Sequence, residues 1–208
     1  MYTMLKKRFT RSIRNFNPRV KDTFILVTLD NLQSLLLVDL LLDVEREYEV
    51  QVHHLHLGET IPEEIKQRLE SAPYVISQSI GGVKPANYTQ VKLEVLKRLY
   101  LYPEGALYVL PFTADDLACY FLEELINSNL QGLALEAEAR IAYPLYTTTI
   151  HEIRKLYPDS RLNASLLGKC TLLYELEGRV ALQAFGNFYV EVFTKRKTIT
   201  QDSCSTTG

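Results

Sequence analysis

Between Thr23 and Val44 the chain is apolar almost without interruption, and Asp30-Asn31 divides the run in two. Phe24 to Leu29 is short and rich in β-branched and aromatic side chains. Bounded by Lys21-Asp22 and Asp30-Asn31, it reads as a buried strand. The segment after it carries Leu32, Leu35, Leu36, Leu37, Val38, Leu40, Leu41 and Leu42. A helix apolar almost all round is one buried against a sheet, and Asp30 or Asn31 can cap it.

The alternation continues downstream. Val50 to Leu57 alternates apolar and polar positions as a strand, and Gly58-Glu59-Thr60 is a turn. Pro62 suits the first turn of a helix to about Glu70. Tyr74 to Ile80 reads as a third strand closed by Gly81-Gly82, and Ala86 to Tyr100 as a helix burying Tyr88, Val91, Val95, Leu96 and Leu99. Ala106 to Phe112 is a fourth strand, and Thr113 caps a helix reaching Asn127 with Asp115 and Asp116 in its first turn. A short strand at Ile141 to Leu145 and a helix at about Thr148 to Leu156 complete a βαβαβαβαβα order, which predicts an α/β fold with a doubly wound parallel sheet. After Pro158 the pattern changes. Cys170 to Leu176 and Arg179 to Phe185 flank Glu177-Gly178 as a C-terminal β-hairpin, Asn187 to Thr194 offers a third strand, and Thr198 to Gly208 is a polar tail. The division expected is a basic arm over 1–21, an α/β domain over 22–157, a β extension over 158–197 and a disordered tail over 198–208.

Composition narrows the class. The 208 residues are 47% hydrophobic and 23% charged, which suits a globular domain of this length. No apolar run approaches a membrane span and no signal peptide opens the chain. The three cysteines, Cys119, Cys170 and Cys204, show no CxxC spacing, so a disulfide scaffold and a zinc ribbon are disfavoured and a cytoplasmic protein with free thiols is expected. Charge is distributed unevenly. Residues 1–21 carry Lys6, Lys7, Arg8, Arg11, Arg14, Arg19 and Lys21 and no acid; setting those seven aside leaves 16 of the 23 basic residues against 25 acids, a net of −9. A basic arm on an acidic body points to a polyanion, most simply RNA, with Tyr2, Phe9 and Phe16 placed to stack on bases. The same pattern also describes an amphipathic helix that packs on the body.

Candidate chemistry concentrates at strand ends. A phosphate-gripping turn after the first strand needs glycines that let backbone N–H groups approach, with a Lys or Ser/Thr contact. Leu29-Asp30-Asn31-Leu32-Gln33-Ser34 has neither glycine nor lysine, and Asp30 places a carboxylate where a polyphosphate would sit. His54 and His56 fall on one face of their strand and His53 on the other. Two same-face histidines without a third ligand read as a polar strand end rather than a metal site. Gly81-Gly82 with Lys84 can cradle an anion or serve only as a loop. Cys170 lacks a partner thiol and a nearby base and reads as structural.

Three blocks carry a family resemblance. FILVTLDNLQSLLLVDLL stands where the PP-loop ATPase superfamily (adenine-nucleotide alpha-hydrolase-like) has a strand, an SGGxDS loop and a helix. VHHLHLGE stands at that family's second strand. LPFTADDLACYFLEEL, Leu110 to Leu125, resembles its GHNxDDxAETxLxNL junction, with Asp115 and Asp116 on the paired aspartates, and RIAYPLYTTTIHEIR resembles its RPLxxxxxxEI segment. Over residues 20 to 157 the chain is similar to the cytosolic tRNA 2-thiolation proteins. The SGGxDS loop and the cysteine pairs of catalytic members are missing, a pattern resembling the second, non-catalytic subunit; LKKRFTRSIRNFNPRVKD is similar to that subunit's lead-in. The resemblance implies a heterodimer with a catalytic PP-loop thiolase that adenylates wobble uridine U34 of tRNA, with sulfur arriving from a ubiquitin-like carrier. It implies tRNA contact through the seven basic residues named above and no cofactor of the chain's own. It leaves a degenerate nucleotide site at Asp30, Asn31, Ser34, His54, His56, Asp115 and Asp116. Two alternatives stand beside it: an active ATP-dependent adenylating sulfurtransferase with an unusual loop, and a nucleotide-binding regulatory module without tRNA.

Overall fold

The computed structural model describes residues 1–18, 22–45, 51–126, 131–135, 138–167 and 182–194. Helix α1 (Tyr2–Arg14) precedes strand β1 (Phe24–Thr28), which enters α2 (Leu32–Glu45). Then follow β2 (Val52–His56), α3 (Glu63–Glu70), β3 (Val75–Ile80) and α4 (Tyr88–Leu96). A 3-10 turn at Leu99–Leu101 leads to β4 (Leu107–Val109), α5 (Ala114–Ile126), α6 (Gln131–Ala134), β5 (Arg140–Ala142) and α7 (Ile150–Leu156). Helix α8 (Leu182–Tyr189) and a π-helical turn at Val190–Thr194 end the described chain.

The five strands lie in the order β3-β2-β1-β4-β5, every pair parallel. The chain builds outward from β1 through β2 to β3, then crosses back to β4 and β5 on the other side. The order therefore reverses between β1 and β4, where an open α/β sheet leaves a crevice at its carboxyl ends. The doubly wound parallel sheet expected from the sequence is present.

Strand β1 shows why both faces need cover. All five of its residues are buried; Phe24 and Leu26 enter the core under α2, α3 and α7, while Ile25 and Val27 enter the core under α4, α5 and α8. Helix α2 is apolar on every side because it has neighbours on every side. Leu36, Leu37, Val38, Leu40 and Leu41 are all fully buried, since α1 lies over the helix as an outer layer through Leu5, Phe9 and Ile13, spaced four residues apart.

The C-terminal β extension is corrected where it is described. Residues 182–185, assigned to the hairpin, open α8, and the strand expected at 187–194 is helical. Leu182, Phe185, Tyr189 and Phe193 recur at intervals of three and four and together pack on the α4/α5 core. Their aromatic and β-branched content suggested strand, but their period is helical. The rest of the hairpin, Cys170, Cys204, Arg19, Lys21 and the polar tail lie outside the described residues. No helix among the described residues is long and apolar enough to cross a membrane.

Candidate functional site

The β1–α2 turn closes on itself. Asn31 caps α2: its Oδ1 accepts from the Ser34 amide at 2.9 Å and from the Ser34 hydroxyl at 2.7 Å. The Ser34 Oγ in turn accepts from the Leu29 amide at 2.7 Å. The Asn31 amide donates to Leu29 O, and the Leu32 amide donates to the Asn163 carbonyl, brought over the helix start by the segment after α7. The Gln33 side chain, fully buried, donates to Ser165 O at 2.9 Å. The N–H groups of Asn31, Leu32 and Ser34 are thus satisfied within the chain, where a phosphate-binding turn would present them to an anion. The Leu29 and Asn163 carbonyls take two of those donors, and Asp30 puts a carboxylate in the turn itself.

Asp30 belongs to a second network. Its carboxylate meets His56 Nε2 at 3.1 Å and Lys84 Nζ at 3.4 Å. Thr28 Oγ1 lies 2.9 Å from His56 Nδ1 and 2.7 Å from His54 Nε2. The partners fix the tautomers. His56 Nε2–H donates to Asp30, so Nδ1 accepts the Thr28 hydroxyl proton, and Thr28 in turn accepts from His54 Nε2–H. His54 Nδ1 is left as a buried acceptor without a partner among the described residues. Burial first, then the neighbouring His56, lowers the His54 pKa to about 3. Burial also lowers that of His56, against the opposing pull of Asp30. Both rings are therefore neutral at pH 7. Gly58 is required here: a Cβ would stand 2.5 Å from His56 Nε2 and 3.1 Å from Asp30 Oδ1.

The paired aspartates are spent on structure. Asp116 Oδ2 accepts from the Thr113 amide at 2.9 Å, and Thr113 Oγ1 accepts from the Asp116 amide at 3.2 Å, a reciprocal cap on α5. Asp116 Oδ1 accepts from Tyr88 Oη at 2.9 Å. Burial pushes the Asp116 pKa up to about 6 despite these donors. Asp115 Oδ2 accepts from the Ile150 amide at 2.9 Å and so ties α5 to the start of α7. Among the described residues no group of three His, Cys, Asp or Glu side chains is placed to hold a metal ion.

The structure thus brings Asp30, Asn31, Ser34, His54 and His56 together at the ends of β1 and β2, and places Asp115 and Asp116 at the β4–α5 junction. Sequence reading missed Thr28 as the hinge of the histidine network, Tyr88 as the partner of Asp116, and the segment at Asn163–Ser165. A threonine between two hydrophobic elements carries no signal of its own; register with His56 across a parallel pair is what gives it a role.

The basic residues of α1 divide by face. Lys6 pairs with Asp43 at 2.9 Å and Arg8 with Glu152 at 2.7 Å, so both are structural ties. Lys7, Arg11 and Arg14 are exposed and hold no ion pair among the described residues. Their spacing of four and three sets them in one row about 10 Å long. The aromatic residues of this segment do not reach out to stack on bases. Phe9 is buried on α2, Phe16 sits edge-on against Tyr143 and Tyr146, and Tyr2 turns toward Asp39 and Asp43.

No protein-family model matches the chain, and no curated protein matches it in sequence. Among solved structures, its fold matches the U34-tRNA thiolase NcsA from Methanococcus maripaludis, a structure with its 4Fe–4S cluster. The match has a TM-score of 0.64 at 14% identity and covers 93% of this chain and 80% of that one. At that identity the likeness is one of fold.

Proposed function

We propose that this chain serves tRNA U34 thiolation as a PP-loop-type subunit without ATP chemistry of its own, contacting tRNA through α1 and working beside a catalytic thiolase partner. The observation that carries the reading is the self-satisfied β1–α2 turn on a thiolase fold. The N–H groups a nucleotide phosphate would need already bind Leu29 O, Asn163 O and Asn31 Oδ1. What such a subunit offers instead is surface, and the row Lys7, Arg11 and Arg14 is suited to successive RNA phosphates.

A 4Fe–4S cluster of the kind in the neighbouring structure does not fit these residues. Such clusters are held by cysteine thiolates, commonly four. This chain has three cysteines, and Cys119 is sealed in the α4/α5 core with its thiol against Glu123. No step is therefore assigned to a cluster in this chain.

The test is co-expression with a catalytic thiolase of the same cell, followed by tRNA binding of the purified pair. One stable heterodimer is expected on a sizing column. Lys7→Glu with Arg14→Glu should weaken tRNA binding and shrink its salt dependence by about two units of logarithmic slope. Two separate monomers, or a folded charge-reversed pair with unchanged tRNA affinity, would remove the reading.

A further inference from the structure

An open sheet leaves unpaired backbone groups along both of its outer strands, and proteins guard such edges with short strands, charged side chains or proline. The two edges here differ. Strand β5 is three residues long and begins with Arg140. Strand β3 runs for six residues, Val-Ile-Ser-Gln-Ser-Ile, with no charge and no proline. It is bonded to β2, and no strand among the described residues lies beyond it. A bulge leaves Ile76 without a partner on β2, between the Val52–Val75 and His53–Ser77 pairs. From Ser77 to Ile80 the strand is in regular register with β2.

The surface about this edge is apolar. Ile76 is 53% exposed and Ile80 52%, and Val83, just past the strand, is exposed as well. The turn that carries the exposed Tyr100 and Leu101 is fastened to the same strand end. Tyr102 Oη lies 3.1 Å from Ser79 Oγ, and Arg98 Nη2 donates to Gly81 O at 2.9 Å.

The order of residues along the strand points to what covers it. Ile76-Ser77-Gln78-Ser79-Ile80 reads the same in both directions. A two-fold interface sets one patch against itself, so that residue i meeting residue j is matched by j meeting i. We infer that β3 pairs with β3 of a second copy of this chain, antiparallel about a two-fold axis at Gln78, joining the two five-stranded sheets into one. In that register Ile76 of each copy lies opposite Ile80 of the other, and Ser77 opposite Ser79. A slip of one residue would set each of these isoleucines against a serine. Neighbouring strands stand about 4.8 Å apart, where like charges directly opposite one another destabilise the pair; this strand brings none. One short strand with an apolar margin is a contact of the transient class, so a dissociation constant on the order of 10–100 µM is expected.

The test is sedimentation velocity of the full chain from about 5 to about 500 µM, a range that brackets this constant. Circular dichroism is the folding control, and amide exchange is read at both ends of the range. We expect a monomer–dimer equilibrium, with exchange of the Ser77–Ile80 amides slower at high concentration. Two double variants at the exposed isoleucines read the register. Ile76→Lys/Ile80→Lys sets like charges across both pairs and should weaken dimerisation about tenfold or more. Ile76→Lys/Ile80→Glu sets opposite charges across the same pairs and should stay within about threefold of the unsubstituted chain. A monomer at every concentration overturns the inference, and so does a dimer that both variants weaken equally or that neither weakens. The other occupant the test distinguishes is the thiolase partner. A chain that is monomeric alone, but whose complex with the thiolase is lost in Ile76→Lys/Ile80→Lys, gives the edge to that partner; this overturns the inference and leaves the thiolation reading intact.

Discussion

At the scale of residues, the buried histidines set the response to acid. Both are held neutral by burial, so the native state takes up fewer protons than the unfolded chain below about pH 6.5. Stability is then lost as pH falls below about 6.5, down to about 3 for His54, with a slope of at most about 1.4 kcal/mol per pH unit for each histidine. Asp116 works in the opposite sense. Its raised pKa means that stability falls as pH rises from about 4 to about 6. The fall of the His54 pKa to about 3 is larger than the rise of Asp116 to about 6, and His56 shifts in the same direction as His54, so the urea midpoint should drop between pH 7 and pH 5, and His54→Gln should flatten that drop. A midpoint unchanged over that interval would contradict the neutral, coupled network. The alternation of VHHLHL was enough to place His54 and His56 on one face. Their coupling through Thr28 was not legible, because it depends on which strand lies beside which.

At the scale of elements, α1 is the outer wall of the core. Phe9 is 2% exposed and sits on α2, so Phe9→Ala should cost about 3–5 kcal/mol in chemical denaturation. Lys7→Glu, about half a turn away on the solvent face, should cost no more than about 0.5 kcal/mol. A loss from Phe9→Ala below 1 kcal/mol would mean that the helix is not docked in solution. The amphipathic pattern of Leu5, Phe9 and Ile13 was visible in the sequence, and so was the all-round apolar α2, but not that each explains the other. The C-terminal residues misled for a related reason. Strand propensity of Phe, Tyr and Val is a statement about half-buried surfaces, and here a helix seated on Tyr146 through Gly186 supplies that surface.

At the scale of the whole molecule, the turn beside the sheet's switch point has its N–H groups bonded by the chain itself. The β1–α2 turn contains Asp30 and is bonded to the Asn163 carbonyl, and the acids at the β4–α5 junction accept from the Thr113 and Ile150 amides. We therefore expect calorimetry of the isolated chain with magnesium ATP to show no binding at the β1–α2 turn up to about 1 mM, a concentration at which only about 4 kcal/mol of affinity would register. Low-micromolar binding abolished by Asp30→Lys, which removes a carboxylate able to hold magnesium, or by Ser34→Asp in a folded variant would place magnesium ATP in the turn and refute the expectation. The parallel order of the sheet was readable from the alternation of elements. The bonding of the turn by a distant segment was not, since Asn163 and Ser165 lie 131 and 132 residues from Leu32 and Gln33, the residues they bond.

The tie from Arg8 to Thr147 and Glu152 spans 139 and 144 positions of chain. Helix α1 is thus fastened by residues made much later in synthesis than itself. A 13-residue helix is marginal by itself in water. Lys7, Arg11 and Arg14 become a row only once the α7 start has emerged and docked. A half-made chain presents the same charges as a loose basic segment, and amide exchange on nascent fragments ending before residue 147 should find α1 unprotected. Access to the cationic row is in this way a readout of finished folding.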